Sequence, residues 1–185
     1  THFHPDHIGN AEWLAARFGV EVWCPQAEWL MCQLAWQGMG GNDSEKRLGH
    51  YRRHGVPEAQ VEAFRERGNH YRQLVPSVIR EFRAVREGDD LTMGGRRGHA
   101  FTVLGHAPEH ACLVCPEANV LISGDQVLPK ITTNVSVWPD QPRGNPLRLY
   151  LDSLARFRPL SEDMLVLPSH GLPYVGLHRR LDHLR

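Results

Sequence analysis

The chain has 185 residues, of which 41% are hydrophobic and 23% charged, the balance of a single globular domain. Its 21 basic and 21 acidic side chains cancel, so no global field favours nucleic acid or an anionic membrane surface. No run of about 18 apolar residues offers a membrane span, and no signal-peptide pattern is present. Four cysteines are too few for a disulfide scaffold and fit a reducing cytoplasm. The odd number is 12 histidines against two lysines, Lys46 and Lys130, which directs attention to metal chemistry.

The chain opens on Thr1-His2-Phe3-His4-Pro5-Asp6-His7, with neither an initiating Met nor a preceding strand, and ends within a helical pattern from Leu177 to Arg185. We therefore expect a fragment of a longer chain. Ile8, Ala11, Leu14, Ala15 and Phe18 recur at helical spacing and predict a helix over 8–18, closed by Gly19. A strand over Val20–Cys24 follows, then a helix over 26–36 that Pro25 introduces. Residues 44–88 carry Val61, Phe64, Tyr71, Val75, Val78, Phe82 and Val85 and predict an amphipathic helix or helix pair, broken or kinked at Gly68 and Pro76. Short strands are predicted at Leu91–Met93, Ala100–Leu104, Ala111–Cys115, Val120–Ser123 and Met164–Leu167. A helix over Pro146–Phe157 interrupts them, with Asn145 as N-cap and Pro146 at its first position. Helices alternating with strands at short loop spacing indicate an α/β class.

His2 and His4 are two residues apart, so in an extended segment their imidazoles point to one side and can share a cation. Asp6 and His7 follow at a helix start and can reach a second cation. Imidazole with carboxylate suits zinc, iron or manganese. Taken by itself, the run has a His-rich surface loop as its bland alternative, the lesser reading. Three later segments argue for the metal, each at a strand end, where α/β proteins gather functional groups. These are Gly105-His106-Ala107-Pro108-Glu109-His110, Ile122-Ser123-Gly124-Asp125 and Leu167-Pro168-Ser169-His170-Gly171.

In this order the four segments resemble the T-H-x-H-x-D-H, G-H-[ST]-P-G-[HS], S-G-D and P-G-H-G motifs of the metallo-β-lactamase superfamily. The resemblance implies an αββα sandwich with metals at one edge between two sheets, here lacking its N-terminal part. Residues 1–185 would form one domain, with 44–88 a helical insertion or lid. It implies that His2, His4 and His106 hold one metal, that Asp6, His7 and His170 hold a second, and that Asp125 bridges them. His110 is the alternative ligand in that segment; the family pattern favours His106, which would leave His110 behind the ligands or facing an oxyanion. The implied cofactors are two zinc ions, with iron or manganese as substitutes. Ala107, Glu109 and Ser169 depart from the motifs at positions that are not ligands.

Gly124-Asp125-Gln126-Val127-Leu128-Pro129-Lys130-Ile131-Thr132 resembles the glyoxalase-II-like and stand-alone thioesterase branch. That branch implies a hydrolase in which hydroxide held by two metals attacks an ester, thioester or related carbonyl. Asp6 would orient or receive the proton, and Lys130 is a candidate contact for a substrate anion. The expected partner is a small molecule, with no nucleic acid and no membrane; a homodimer is the expected assembly. A related branch, the mononuclear iron persulfide dioxygenases, is the alternative, and metal count separates the two. A superfamily nuclease fits poorly with the neutral charge. Seven intact ligand positions argue against a non-catalytic binding module. Cys24, Cys32, Cys112 and Cys115 read as structural thiols, the last two on opposite faces of a strand. His50, His54, His70, His99, His178 and His183 read as surface or core residues rather than ligands. The five tryptophans read mostly as core or lid packing.

Overall fold

A computed structural model describes residues 1–185. Its main sheet has five strands in sequential order: β3 (Asp90–Met93), β4 (Arg96–Val103), β5 (His110–Cys115), β6 (Val120–Gly124) and β7 (Leu165–Pro168). β3, β4, β5 and β6 pair antiparallel in turn, and β7 lies parallel to β6. Consequently β4, β6 and β7 run the same way and their C-terminal ends share one side of the sheet. Gly94 and Gly95 turn β3 into β4, with φ 56° and 78°, the left-handed pair that a tight two-residue hairpin requires. β4 therefore begins at Arg96, earlier than the apolar run from Ala100 predicts. In β5 every residue but Leu113 is buried, the mark of a strand covered on both faces. Cys112 and Cys115 accordingly face opposite sides and are both buried.

One face of this sheet is covered by α7 (Pro146–Leu154) and α8 (Leu177–His183), around a core that includes Phe101, Leu121, Leu154, Phe157, Val166 and Leu181. Asn145 caps α7 by accepting from the Arg148 amide, as its position predicts, and a 3₁₀ turn over 155–157 replaces the helix's expected end. A second core gathers Phe3, Ile8, Cys32, Ala35, Val75, Ile79 and Ala107, between α1 (Pro5–Ile8), α3 (Gln26–Gln37) and the loop after β4. Beside it lies a second, minimal sheet, in which β1 (Trp23–Cys24) pairs parallel with β2 (Arg83–Ala84). The strand expected over 20–24 shrinks to those two residues.

The helix expected over 8–18 is two helices. Pro5 starts α1 three residues early, and the chain breaks at Gly9-Asn10 before α2 (Ala11–Phe18). A Cβ on Gly9 would lie 2.6 Å from the Pro5 carbonyl oxygen and 3.0 Å from that of Leu74. Gly19 closes α2 in the left-handed conformation, as expected, yet α2 buries none of its residues. Residues 44–88 likewise divide more finely than predicted. They hold α4 (Ser44–Arg53), α5 (Glu58–Arg67), α6 (His70–Leu74) and β2. Gly55-Val56-Pro57 ends α4, and Gly68-Asn69 ends α5. Asp43 and Asn69 cap the helices that follow by accepting from the Lys46 and Arg72 amides.

Gly105 stands between β4 and His106 with φ +106°, and a Cβ there would lie 2.5 Å from the backbone nitrogen of Tyr150 on α7. Strain and overlap then add, so Gly105→Ala should destabilise the fold by about 2–4 kcal/mol. A lower urea midpoint with an unchanged slope checks this.

Candidate metal centre

The first motif is held beside the main sheet by the amide of Ala111, which donates to the Thr1 carbonyl at 2.9 Å. This sets His2 and His4 next to the ends of β4, β6 and β7. His106 follows β4, Asp125 follows β6 and His170 follows β7. At Gly124, φ +53°, a Cβ would sit 2.3 Å from the His110 ring, so the close approach of His110 to β6 requires glycine.

All seven expected ligands come together. His2 Nε2 lies 2.9 Å from His4 Nδ1 and 3.1 Å from His106 Nε2. His7 Nε2 lies 3.3 Å from Asp125 Oδ1 and 3.5 Å from Asp6 Oδ2. His170 Nε2 is 3.3 Å from Asp6 Oδ2 and 3.4 Å from Asp125 Oδ2. The donor atoms of His2, His4 and His106 fall within 4.8 Å of one another, as do those of Asp6, His7 and His170, and those of His2, His7 and Asp125. The first trio is mostly buried, while Asp6 and His170 are exposed.

His106 Nδ1 is 2.7 Å from the Asn134 carbonyl, to which it donates, so its Nε2 keeps a lone pair for the cluster. His110, completely buried, is not among the converging donors. Its Nε2 accepts from the Asp125 amide at 3.1 Å and so fixes the backbone of that residue. Burial, reinforced by the neighbouring imidazoles, holds His2 far below the usual histidine range and His4 at about 4. Burial lowers His106 and His110 as well. These rings are therefore neutral at pH 7, the form a metal accepts. Burial works to raise Asp125, but the facing rings of His7, His106 and His170 outweigh it and bring the carboxyl to about 2. Two buried atoms, His7 Nε2 and Asp125 Oδ1, face each other at 3.3 Å without an aligned hydrogen bond. Neutral imidazoles crowded nitrogen to nitrogen, beside an ionised carboxylate, form a donor set that suits divalent cations.

The sequence gives no sign of the residue that joins the two halves of this cluster. Glu28 on α3 is wholly buried. Its Oε2 accepts from the Phe3 amide at 2.9 Å and its Oε1 from the Glu109 amide at 2.6 Å. One carboxylate thus ties the His2–His4 segment to the His106–His110 loop. Glu109, a departure from the motif, accepts in return from the Ala27 amide in the first turn of α3, at 3.1 Å. Tyr71 reinforces the same segment by donating to the Phe3 carbonyl at 2.5 Å.

A cleft of about 470 Å³ opens on His4 and His106. Arg47, His50 and Tyr51 of α4, with His54 at its C-terminal end, line it. His50 and His54, expected to be surface or satisfied core residues, thus border the cluster. Phe64 stacks behind Tyr51 with ring centroids 5.0 Å apart, while Val75 and Ile79 pack under Phe3 and Ile8. Lys130 is exposed, and the cleft is lined without it.

Strand ends that gather five imidazoles and two carboxylates at one sheet edge define a metal-binding α/β protein. More particularly, the chain belongs to the metallo-β-lactamase superfamily, whose family profile matches residues 1–170. Hydroxyacylglutathione hydrolase GloC of Haemophilus influenzae is 27% identical over 176 residues, which are 92% of this chain and 66% of that protein. The crystal structure of a β-lactamase domain protein from Burkholderia ambifaria superposes on the whole chain with a TM-score of 0.83 and 40% identity. A metallo-β-lactamase family protein from Thermus thermophilus does so with a TM-score of 0.78 and 30% identity. The chain spans 51% and 57% of the lengths of those two structures.

Glu28→Gln keeps the side chain's volume but sets an amide N–H against one of the two backbone donors. It should weaken metal affinity about 10–100-fold, read by competition with a chromophoric chelator. Burial, against the pull of the two backbone N–H groups, raises the Glu28 carboxyl from 4.5 to about 7. Between those values Glu28 in the folded chain binds an extra proton, so its own contribution to stability falls as pH rises through that window, against the rising contribution of the buried histidines. Glu28→Gln should remove that contribution, so the thermal midpoint of the metal-free variant should rise more steeply from pH 4.5 to 7.5 than that of the unmodified protein.

Proposed function

We propose that this chain forms the metal-bearing part of a hydrolase that cleaves an ester, thioester or related carbonyl bond of a small molecule. The observation that carries the reading is the convergence of seven metal-competent side chains in which the buried His7 Nε2 and Asp125 Oδ1 face each other at 3.3 Å without an aligned hydrogen bond. His2, His4 and His106 would hold one cation, and Asp6, His7 and His170 a second. Asp125 suits the position between them, since its Oδ1 faces His7 at 3.3 Å and its Oδ2 faces His106 at 3.5 Å. Bound divalent cations, two zinc ions in this reading, would supply Lewis acidity, lowering the pKa of water and polarising a carbonyl.

The remaining chemistry belongs to the chain. His110 and the Asn134 carbonyl fix the orientation of Asp125 and His106. The Asp6 carboxylate, beside His7 and His170 and open to solvent, receives the proton released by water and passes it outward. The cleft alongside His4 and His106 takes the substrate, with α4 of the 44–88 insertion as its wall. The named activity of the Haemophilus relative supports acyl transfer to water, and the balanced charge supports a small substrate over a nucleic acid.

Mass spectrometry of the purified protein should find two metals per chain. Thioester hydrolysis should vanish on chelation and return with zinc. A single iron with no hydrolysis would overturn the reading in favour of an oxygenase. Asp125→Ala should leave one metal or none and reduce kcat at least 100-fold; two retained metals with full activity would reject the bridging role.

A further inference from the structure

The cleft beside the cluster carries charge of one sign. No carboxylate lines it. Arg47 supplies its fixed positive charge, and His50, Tyr51 and His54 add polar groups on the same wall. Asn134 and Trp138 also line it. Elsewhere on this insertion Arg52 pairs with Glu58, Arg65 with Glu45, Arg80 with Glu12 and Arg83 with Glu21, while Arg53, Arg67, Arg72 and Arg86 form no ion pair but do not line the cleft. Arg47 takes part in no ion pair. Its Nη2 donates to the Gly68 carbonyl at 3.3 Å, which anchors the guanidinium, while its Nε is buried without a partner. His50 is 8% exposed, and its Nδ1 is also buried without a partner.

Two partnerless polar nitrogens at one cleft wall are costly unless something outside the chain satisfies them. A guanidinium fork with a free N–H is suited to a planar carboxylate or a phosphate, which it binds with directed, charge-assisted hydrogen bonds. We propose that Arg47, with His50, Tyr51 and His54, forms an anion-binding subsite that selects substrates ending in a carboxylate or phosphate. The anion sits against α4 while the scissile carbonyl lies at the His4–His106 end of the cleft. Phe64, stacked on Tyr51, keeps that wall in place. Anion binding as such stands on the cleft alone; only its use in selecting a substrate rests on the hydrolase reading.

The test uses metal-loaded protein and four thioesters of similar size. One is neutral, one has a carboxylate on the acyl side, one a carboxylate on the leaving side, and one a phosphate on the leaving side. At least one anionic thioester should exceed the neutral one tenfold or more in kcat/KM, and the best of the three identifies the anion and its side. Arg47→Gln should raise KM for that substrate at least tenfold, at least five times any loss on the neutral thioester. Arg47→Lys keeps the charge without the fork and should raise KM at least threefold; it carries the test should Arg47→Gln fail to fold by circular dichroism. Equal turnover of anionic and neutral thioesters by the unmodified protein, or a preference that survives these substitutions, overturns the proposal. If none is hydrolysed, the hydrolase reading fails, and titration calorimetry with the corresponding uncleavable thioethers decides the subsite. Saturable binding of an anionic thioether that weakens tenfold in Arg47→Gln sustains it, and binding that is absent or independent of Arg47 overturns it.

Discussion

A buried carboxylate must be hydrogen-bonded or its burial is prohibitively costly, and in this chain that rule falls on Glu28. Its two oxygens are matched by two backbone N–H groups, one from Phe3 and one from Glu109. Displacing either segment would leave an oxygen partnerless in the interior. The spacing between the first motif and the β4–β5 loop is therefore set by a group that need not touch metal or substrate. Glu109 returns the contact by capping α3, so the helix that carries Glu28 is positioned by the loop it holds. Phe3, alternating with His2 and His4, enters the second core, and the two imidazoles on either side of it are turned toward the sheet edge.

The main sheet does the complementary work. Three strands running in one direction bring His106, Asp125 and His170 to the same edge. Glycines at 105 and 124 let α7 and His110 approach more closely than any side chain would permit. The result is graded in depth. His2 and His106 are buried, with the His106 tautomer set by the Asn134 carbonyl, whereas Asp6 and His170 remain open to solvent. Buried imidazoles thus stand beside a carboxylate and an imidazole that solvent reaches.

The converging side chains are legible in the sequence because few side chains can hold a metal, and because His2 and His4 at spacing two and His106, Asp125 and His170 at strand ends are visible without knowing the fold. The helix cap at Asn145 and the left-handed Gly19 were equally local. Glu28 was not, since on paper it is one more acidic position on a helix, and only partners 25 and 81 residues away reveal its role. Arg47, His50 and His54 look like a solvated helical face for the same reason. The stripe on α2 shows the opposite limit: its periodicity correctly marks a helix, but Leu14 and Phe18 stay exposed in these residues. At the break, Gly9 leaves room for the Leu74 carbonyl, a contact that periodicity cannot contain.

The donors of the cluster lie far apart along the chain, and that separation has a thermodynamic consequence. His2 and His106 are 104 residues apart, and Asp6 and His170 bracket nearly all the remainder. A cation shared by such partners would act as a cross-link, closing a ring that spans most of the sequence. For loops of about 100 residues, the chain-entropy model assigns such a closure on the order of 4–5 kcal/mol, a large part of the stability of an ordinary domain. Occupancy and folding would then be linked, so the metal supply of the cell would set how long the protein survives proteolysis as well as how fast it turns over.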